Sequence, residues 1–485
     1  MGRILTFVCI FLLLAVPAGS IFFLSSGISQ YSDDVTITET TIFGNPAAAD
    51  GITVDLWSTF WEDSYWNTRV TTGDTLKTET AFYPSSPFEE DPEYYYKKMP
   101  EFGITIRDSI GYDYGDEVLP GTQNGVNDAF DELAEEILPG DSREKKISLA
   151  DYMEYYALQV EITIPSDNHL GYEEILATSR VIEDEKAAAD WLAELEPDSD
   201  QYIAQQLQDF FKIPVLPTEK TKIGLDKGPS GEIAGLSYGN AESEIAALWS
   251  RCNAVTDDAV YFSLRGHGTE GTLLDFSHVP GGYGIYMLPY SKTDGLKMDH
   301  LSMVYPLNPE IELLAMELNS DRTALLLHTS EDGIYVMTVI NLQTMETQQR
   351  IEVLSVTEST TWRSWSSWSG KDFLTVQYGE NLMVFSVNGN GVYNLDFTAQ
   401  LPEPSDGWRW PQNEDVMIYD GKRLVVSGPL QGTHTDGDTF CLTIYTSQGI
   451  EYHGTYHTGF NPLSADSYQW YCRLLYDNPL TISWN

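Results

Sequence analysis

Short runs of alternating apolar and polar residues, broken by turn residues, fill much of this chain. A period of two is the mark of half-buried β-strands. Gly51 to Trp57 (GITVDLW) and Tyr65 to Val70 (YWNTRV) open the series, after a polar, threonine-rich tether from Gln30 to Asp50. Proline and acidic residues then crowd together at Pro84 to Pro87 and Glu89 to Pro92, which reads as a linker.

The period changes between about Glu93 and Thr221. Val126, Phe130, Leu133 and Ile137 fall on one face of a helix that Pro139 and Gly140 stop. Ser148 with Asp151 predicts a capped short helix through Tyr155. Leu158, Val160, Ile162 and Ile164 predict a strand ended by Pro165. Two more helices, Glu183 to Leu195 and Ser199 to Phe211, are divided by Pro197, and the second puts Ile203, Leu207, Phe210 and Phe211 on one side. This stretch predicts a mixed α/β module.

From about Gly231 the chain is strand and turn to its end, and a unit recurs. Leu313 to Leu318, the turn Asn319 to Arg322, Thr323 to His328, the turn Glu331 to Gly333, Ile334 to Ile340 and Ile351 to Leu354 form four short strands. Phe373 to Val376 and Leu382 to Phe385 repeat the pattern, as do Leu424 to Val426 and Phe440 to Tyr445. Leu480 to Trp484 is a last partial copy. A repeat of about 40–50 residues carrying four strands is what stacked propeller blades require. At that level the region from Ala259 to Asn485 resembles WD40-like and TolB-like β-propellers. No WD dipeptide closes the units, so the resemblance implies a fold and no specific family. Strands from Gly51 to Val70 lying beside Leu480 to Trp484 would close the ring without an open edge. A β-sandwich or two stacked sheets is the alternative.

The expected fold class is therefore mainly β: a β-propeller-like C-terminal body, a preceding or inserted α/β module, and one N-terminal transmembrane helix. The expected organisation is residues 1–25 as a membrane anchor or signal segment, 26–87 as tether and first strand pair, 88–222 as the α/β module and 223–485 as the propeller-like domain.

The anchor rests on Ile4 to Leu24 (ILTFVCIFLLLAVPAGSIFFL), with no charge until Asp33. About 20 apolar residues span a bilayer core. Arg3 and the terminal amine are the positive charges on the short side, so the bulk of the chain is expected outside the cytoplasm as a single-pass membrane protein. Signal cleavage near Val16 to Ala18, giving a secreted protein, is the alternative. Against it, the apolar run resumes at Ile21 to Leu24.

Charge narrows the partners. With 73 acidic and 27 basic residues the formal net charge is −46, a field that repels nucleic acid. The 42% hydrophobic and 12% aromatic content excludes wholesale disorder.

The candidate chemistry is sparse. Gly235 to Gly239 (GLSYG) matches a nucleophile-elbow pattern around Ser237, but the preceding residues, Lys227 to Ala234, are too polar and glycine-rich for the buried strand an elbow needs. His453 and His457 lack the helix and glutamate of a zinc motif. Thr433 to Thr439 and Glu196 to Asp200 gather oxygens that would hold calcium weakly at most, lacking EF-hand spacing; no other cofactor is expected. Cys252, Cys441 and Cys472 form no metal pattern, and Cys441 and Cys472 both lie in strand-like runs, where each is expected to pack as a small buried apolar side chain, a disulfide between them being the alternative. Trp362, Trp365, Trp368, Trp408 and Trp410 form the richest aromatic group, suited to stacking on a sugar or holding a peptide, or to packing between blades.

The expected function is membrane-anchored, extracytoplasmic binding or scaffolding of a protein, peptide or glycan partner. The alternative is an exported, glycosidase-like hydrolase with paired carboxylates.

Overall fold

The computed structural model describes residues 37–60, 64–83, 101–107, 121–166, 171–197, 199–242, 252–264, 266, 272–355, 365–402, 411, 415–429, 439–457, 472–474 and 480–484. The apolar segment Ile4 to Leu24 and the expected linker Pro84 to Pro92 lie outside these residues. Among the described residues no helix is long and apolar enough to cross a membrane. The chain is mainly β and divides into two compact units, residues 1–90 with 360–485 and residues 91–359.

Among the described residues the first unit contains three antiparallel sheets. Trp365–Ser369, Phe373–Tyr378, Asn381–Val387 and Tyr393–Gln400 form one meander. Val416–Tyr419, Leu424–Pro429, Thr439–Thr446 and Gly449–His457 form a second, with Thr38–Gly44 added along its edge. The third is composite: Ile52–Phe60, Ser64–Thr71 and Lys77–Tyr83 follow one another, and Leu480–Trp484 pairs with the first of them from the other side. The register Ile52 to Trp484 through Leu56 to Leu480 sets an early strand beside the last strand of the described residues.

Alternating residues explain how these sheets stack. Leu424 and Val426 pack with Leu382, Val384 and Phe397 of the first sheet, whereas Val425 packs with Ile52, Val54 and Leu56 of the composite sheet. The middle sheet is therefore apolar on both faces, which is why its strands read as continuous apolar runs. A two-layer β-sandwich leaves one face of every sheet to solvent, so this unit departs from that alternative. Arg423 fastens the layers. Its guanidinium lies 4.7 Å from the Trp484 ring centroid, donates to the Ala48 carbonyl at 3.2 Å and is held by Asp420 at 3.0 Å.

In the second unit, Glu312–Leu318, Ala324–Glu331, Ile334–Asn341 and Thr347–Ser355 form the meander expected from the repeat. Glu331 pairs with Ile334, and the two intervening residues, Asp332 (φ 48°) and Gly333 (φ 76°), are both left-handed, the twist-matched hairpin turn that Asp-Gly favours. Asn253–Val255, Ala259–Phe262, Gly284–Ser291 and Ser302–Pro306 make another antiparallel sheet, with Gly295–Leu296 beside it. Leu313, Met316, Leu325 and Leu327 pack against Ala254, Tyr261 and Ile285 between the two sheets.

The α/β part holds a sheet of Glu101–Arg107, Ala157–Ser166 and Gly171–Thr178, and another of Ser142–Ser148, Lys220–Lys227 and Ile233–Glu242. Its helices are α1 (Val126–Glu136), α2 (Glu185–Leu192) and α3 (Asp200–Phe211). Ser199 caps α3 by accepting from the Tyr202 amide, and Asp184 caps α2 in the same manner. The expected helix from Ser148 to Tyr155 is only a 3-10 turn, Leu149–Asp151, because the Ser148 side chain makes no cap and Tyr156 is drawn into pairing with Ile213. Pro165 does not end its strand either; the strand runs to Ser166.

The expected boundary at 222/223 falls inside one sheet. Lys220–Lys227 crosses it and pairs with Ile233–Glu242. One hydrophobic core also runs across it: Phe102 and Phe211 of the α/β part meet Phe262 and Tyr286 of the neighbouring sheet, with ring centroids 4.6 to 6.0 Å apart.

Candidate functional site

Three arrangements in the described residues have the composition of a site: two buried polar relays and one exposed apolar strand. The first relay crosses three adjacent strands of the 312–355 sheet. Glu317, His328 and Tyr335 share a face, because Glu317 is opposite Leu326 and Tyr335 opposite Ser330. The Glu317 carboxylate lies 3.0 Å from His328 Nε2 and can only accept, so that nitrogen carries the proton. Nδ1 then accepts the Tyr335 hydroxyl at 2.6 Å. The order carboxylate, imidazole, hydroxyl resembles a catalytic relay, yet His328 and Tyr335 are both 0% exposed. A substrate cannot reach them, and the relay instead satisfies polar groups that would be costly to bury alone. His328→Leu removes the hydrogen bonds that Glu317 and Tyr335 make to the imidazole and should destabilise the fold by roughly 1–3 kcal/mol. Urea unfolding would measure this, and combination with Tyr335→Phe should be less than additive.

The second relay lies in the 416–457 sheet. Tyr452 donates to Glu39 Oε1 at 2.8 Å and meets the Tyr456 hydroxyl at 2.7 Å; His453 Nδ1 lies 2.8 Å from the Thr443 hydroxyl. Tyr456 stacks on Phe440 with centroids 4.8 Å apart. His453 is thus a buried strand histidine hydrogen-bonded across to Thr443. Both histidines lie in Gly449–His457, and His457 pairs at the edge with Thr38.

Burial first, then the Tyr456 phenol and the Glu39 carboxylate, hold the Tyr452 phenol far above its ordinary value. Burial likewise raises Tyr286 and Tyr456. Tyr152, which donates to Glu132 at 2.8 Å, is pushed up to about 12 by burial and then by that carboxylate. A pKa raised on folding means stability present below the ordinary value and lost as pH climbs through the raised one. The protein should therefore hold its stability to about pH 10 and lose it steeply above. Tyrosinate absorbance should lag behind that of the unfolded chain, and the two should coincide only after unfolding.

The exposed arrangement is the strand Ile233–Glu242. It is the outer strand of its sheet and pairs only with Lys220–Lys227 among the described residues. Ile233, Leu236 and Tyr238 are 54%, 58% and 43% exposed. Leu236 lies opposite Leu225 and Tyr238 opposite Ile223, and those inner partners are buried beneath α1. The apolar row of this sheet continues past the cover of the helix into solvent. Ser237 sits mid-strand opposite Gly224, exposed and with no strand-to-helix turn around it. The elbow geometry is absent from Gly235 to Gly239.

The tryptophan group is only partly described. Trp365 and Trp368 are half-buried in one strand, opposite Tyr378 and Thr375. Three residues apart in a strand, they point to opposite faces. Trp362, Trp408 and Trp410 lie outside the described residues. Cys441 is buried and directs Sγ to the Gly428 carbonyl at 3.5 Å, while Cys472 belongs to a different sheet, beside Phe60. Thr433 to Asp438 lie outside the described residues. In Glu196 to Asp200, Ser199 is consumed as a helix cap. Among the described residues no group of three or more His, Cys, Asp or Glu side chains is placed to hold a metal.

No family model matches this sequence, and no curated protein matches it. Solved structures do. A putative 6-phosphogluconolactonase from Bacteroides fragilis is 10% identical, over 90% of this chain and 100% of that one, at a TM-score of 0.28. A periplasmic gluconolactonase from Pseudomonas aeruginosa is 10% identical over 84% and 96%, also at 0.28. A β-propeller domain from Myceliophteria thermophila is 10% identical over 48% and 79%, at 0.23. One of the three is a β-propeller domain and no family is attached; at these TM-scores the likenesses carry no argument about this chain's fold or chemistry.

Proposed function

We propose that this chain is a membrane-anchored, extracytoplasmic binding or scaffold protein whose partner is a protein, peptide or glycan. The observation that carries it is the fate of the reactive side chains. The Glu317–His328–Tyr335 and Glu39–Tyr452–Tyr456 relays place their histidine and tyrosines at 0% exposure and spend them on cross-strand hydrogen bonds. Apolar side chains, in contrast, stand open on Ile233–Glu242, the kind of surface that marks an interaction site. The uncharged run Ile4 to Leu24 and the −46 charge support an anchor with an exported body.

The test uses the full chain in detergent, titrated against glycan and peptide arrays and, in parallel, assayed on lactones, esters and glycosides. Saturable binding without turnover is expected, weakened in Trp365→Ala or Trp368→Ala if those rings stack on the ligand. Turnover abolished by replacing a pair of neighbouring carboxylates would establish the hydrolase instead.

A further inference from the structure

The outer edge of Ile233–Glu242, unpaired among the described residues, has a particular symmetry. Its central residues, Gly235, Leu236, Ser237, Tyr238 and Gly239, read small, large, small, large, small in either direction. This stretch is also the regular part of the strand: register shifts occur between Lys220 and Lys222 and between Asp226 and Lys227, and the ladder from Lys222 to Asp226 between them is unbroken. We propose that this edge pairs with the same edge of a second copy of the chain, antiparallel and centred on Ser237.

Several observations converge on a second copy as the occupant. Antiparallel pairing about Ser237 sets Gly235 opposite the other copy's Gly239, and Leu236 opposite its Tyr238, twice by symmetry. A two-fold interface needs such a self-complementary surface. The Leu236 and Tyr238 side chains lie on the face that α1 covers further in, so pairing extends the buried row Leu225–Leu236 and Ile223–Tyr238 across the dyad. On the other face the residues of this stretch, Gly235, Ser237 and Gly239, are all small. Charge also selects this edge. From Ile233 to Ala241 the strand has no ionisable carboxylate or amine, in a chain of 73 acidic residues, so carboxylates oppose one another only at the two ends of the pairing, where Glu242 falls opposite the other copy's Glu232. The strand also lacks the devices that keep edges apart: no proline, no lysine and no inward charge along those nine residues.

The bodies still repel one another through their net charge of −46. Screening removes that repulsion, so association should strengthen as salt is raised from about 0.05 to about 0.5 M. Attraction between opposite charges would do the reverse.

This deepens the binding reading by naming one partner, and the two fail separately: array binding can persist in a strict monomer. The experiment is oxidative cross-linking of the full-length Ser237→Cys protein in membrane vesicles. Ser230→Cys, exposed but off the dyad, and the parent chain serve as controls for collision and for the native cysteines. A reducible dimer band about tenfold above both controls is expected, increasing with salt and competed by unlabelled parent chain. Adding Leu236→Lys to Ser237→Cys should reduce the band on the order of a hundredfold, since symmetry counts each lost contact twice. Leu236 is exposed in a single copy, so an unchanged thermal transition in that variant separates lost pairing from lost folding. Ser237→Cys protein that reacts readily with a maleimide but cross-links no better than Ser230→Cys overturns the proposal.

Discussion

Phe211→Ala should lower the stability of the second unit by about 3–5 kcal/mol, the cost of truncating a buried phenylalanine. The expected loss is not confined to the α/β part. Phe211 is the last residue of α3, is 0% exposed, and packs edge-on against Tyr286 (4.9 Å) and Phe262 (6.0 Å). Those two rings belong to strands Gly284–Ser291 and Ala259–Phe262, on the far side of the expected domain boundary. Hydrogen exchange read peptide by peptide is the decisive measurement. Protection in Ala157–Ser166 and in Gly284–Ser291 should fall together, because one core serves both. If the 253–306 sheet kept its protection while the α/β part lost its own, the two would be separate folding units and the shared core would be of little consequence.

Removing the last strand should have the larger effect. Truncation before Leu480 takes away the pairing partner of Ile52, Val54 and Leu56, all 0% exposed, together with Leu480 itself and the Trp484 ring against which Arg423 stacks. At roughly 1.5–3 kcal/mol for each apolar side chain returned to water, the loss is comparable to the whole stability of an ordinary domain, about 5–15 kcal/mol. The first unit is therefore expected to lose its cooperative transition, with proteolysis appearing first in Thr38–Gly44 and Ile52–Phe60. Arg423→Ala is the milder companion: it spares the ladder, removes the cation–π and Ala48 contacts, and should lower the transition without abolishing it. A truncated protein with unchanged unfolding would show that the composite sheet does not depend on its C-terminal strand.

The two variants probe different kinds of information. The four strands of the 312–355 sheet were legible because each is bounded by its own turn: Asp332 and Gly333 take left-handed conformations that their side chains favour, whatever the rest of the chain does. Helices α1 and α3 were legible for the same local reason, an apolar stripe at helical spacing closed by Pro139 and Gly140 or opened by Ser199. The turn Leu149–Asp151 was not, because the competing interaction comes from Ile213, more than fifty residues away. The candidate sites divide similarly. Ser237 could be doubted from the polar residues before it, but nothing local showed that it would stand on an open edge. His328 did not emerge from the sequence at all, since Glu317 and Tyr335 become its neighbours only through strand register. An apolar strand holding one histidine, Thr323 to His328, was the signal available.

The sequence by itself determined the period of the strands, the positions of the turns, the helical stripes and the acidic balance, because each depends on neighbours a few residues apart or on simple sums. Tertiary structure alone decided which strands share a sheet, and with it the pairing of Ile52 with Trp484, the core that crosses residue 222, the sealing of His328 and the exposure of Leu236. The physical reason is that burial and hydrogen-bond satisfaction are properties of surfaces brought together from distant parts of the chain. The alternation of Leu236 and Tyr238 shows that they share a face; only the place where α1 stops covering that face shows that the face is open.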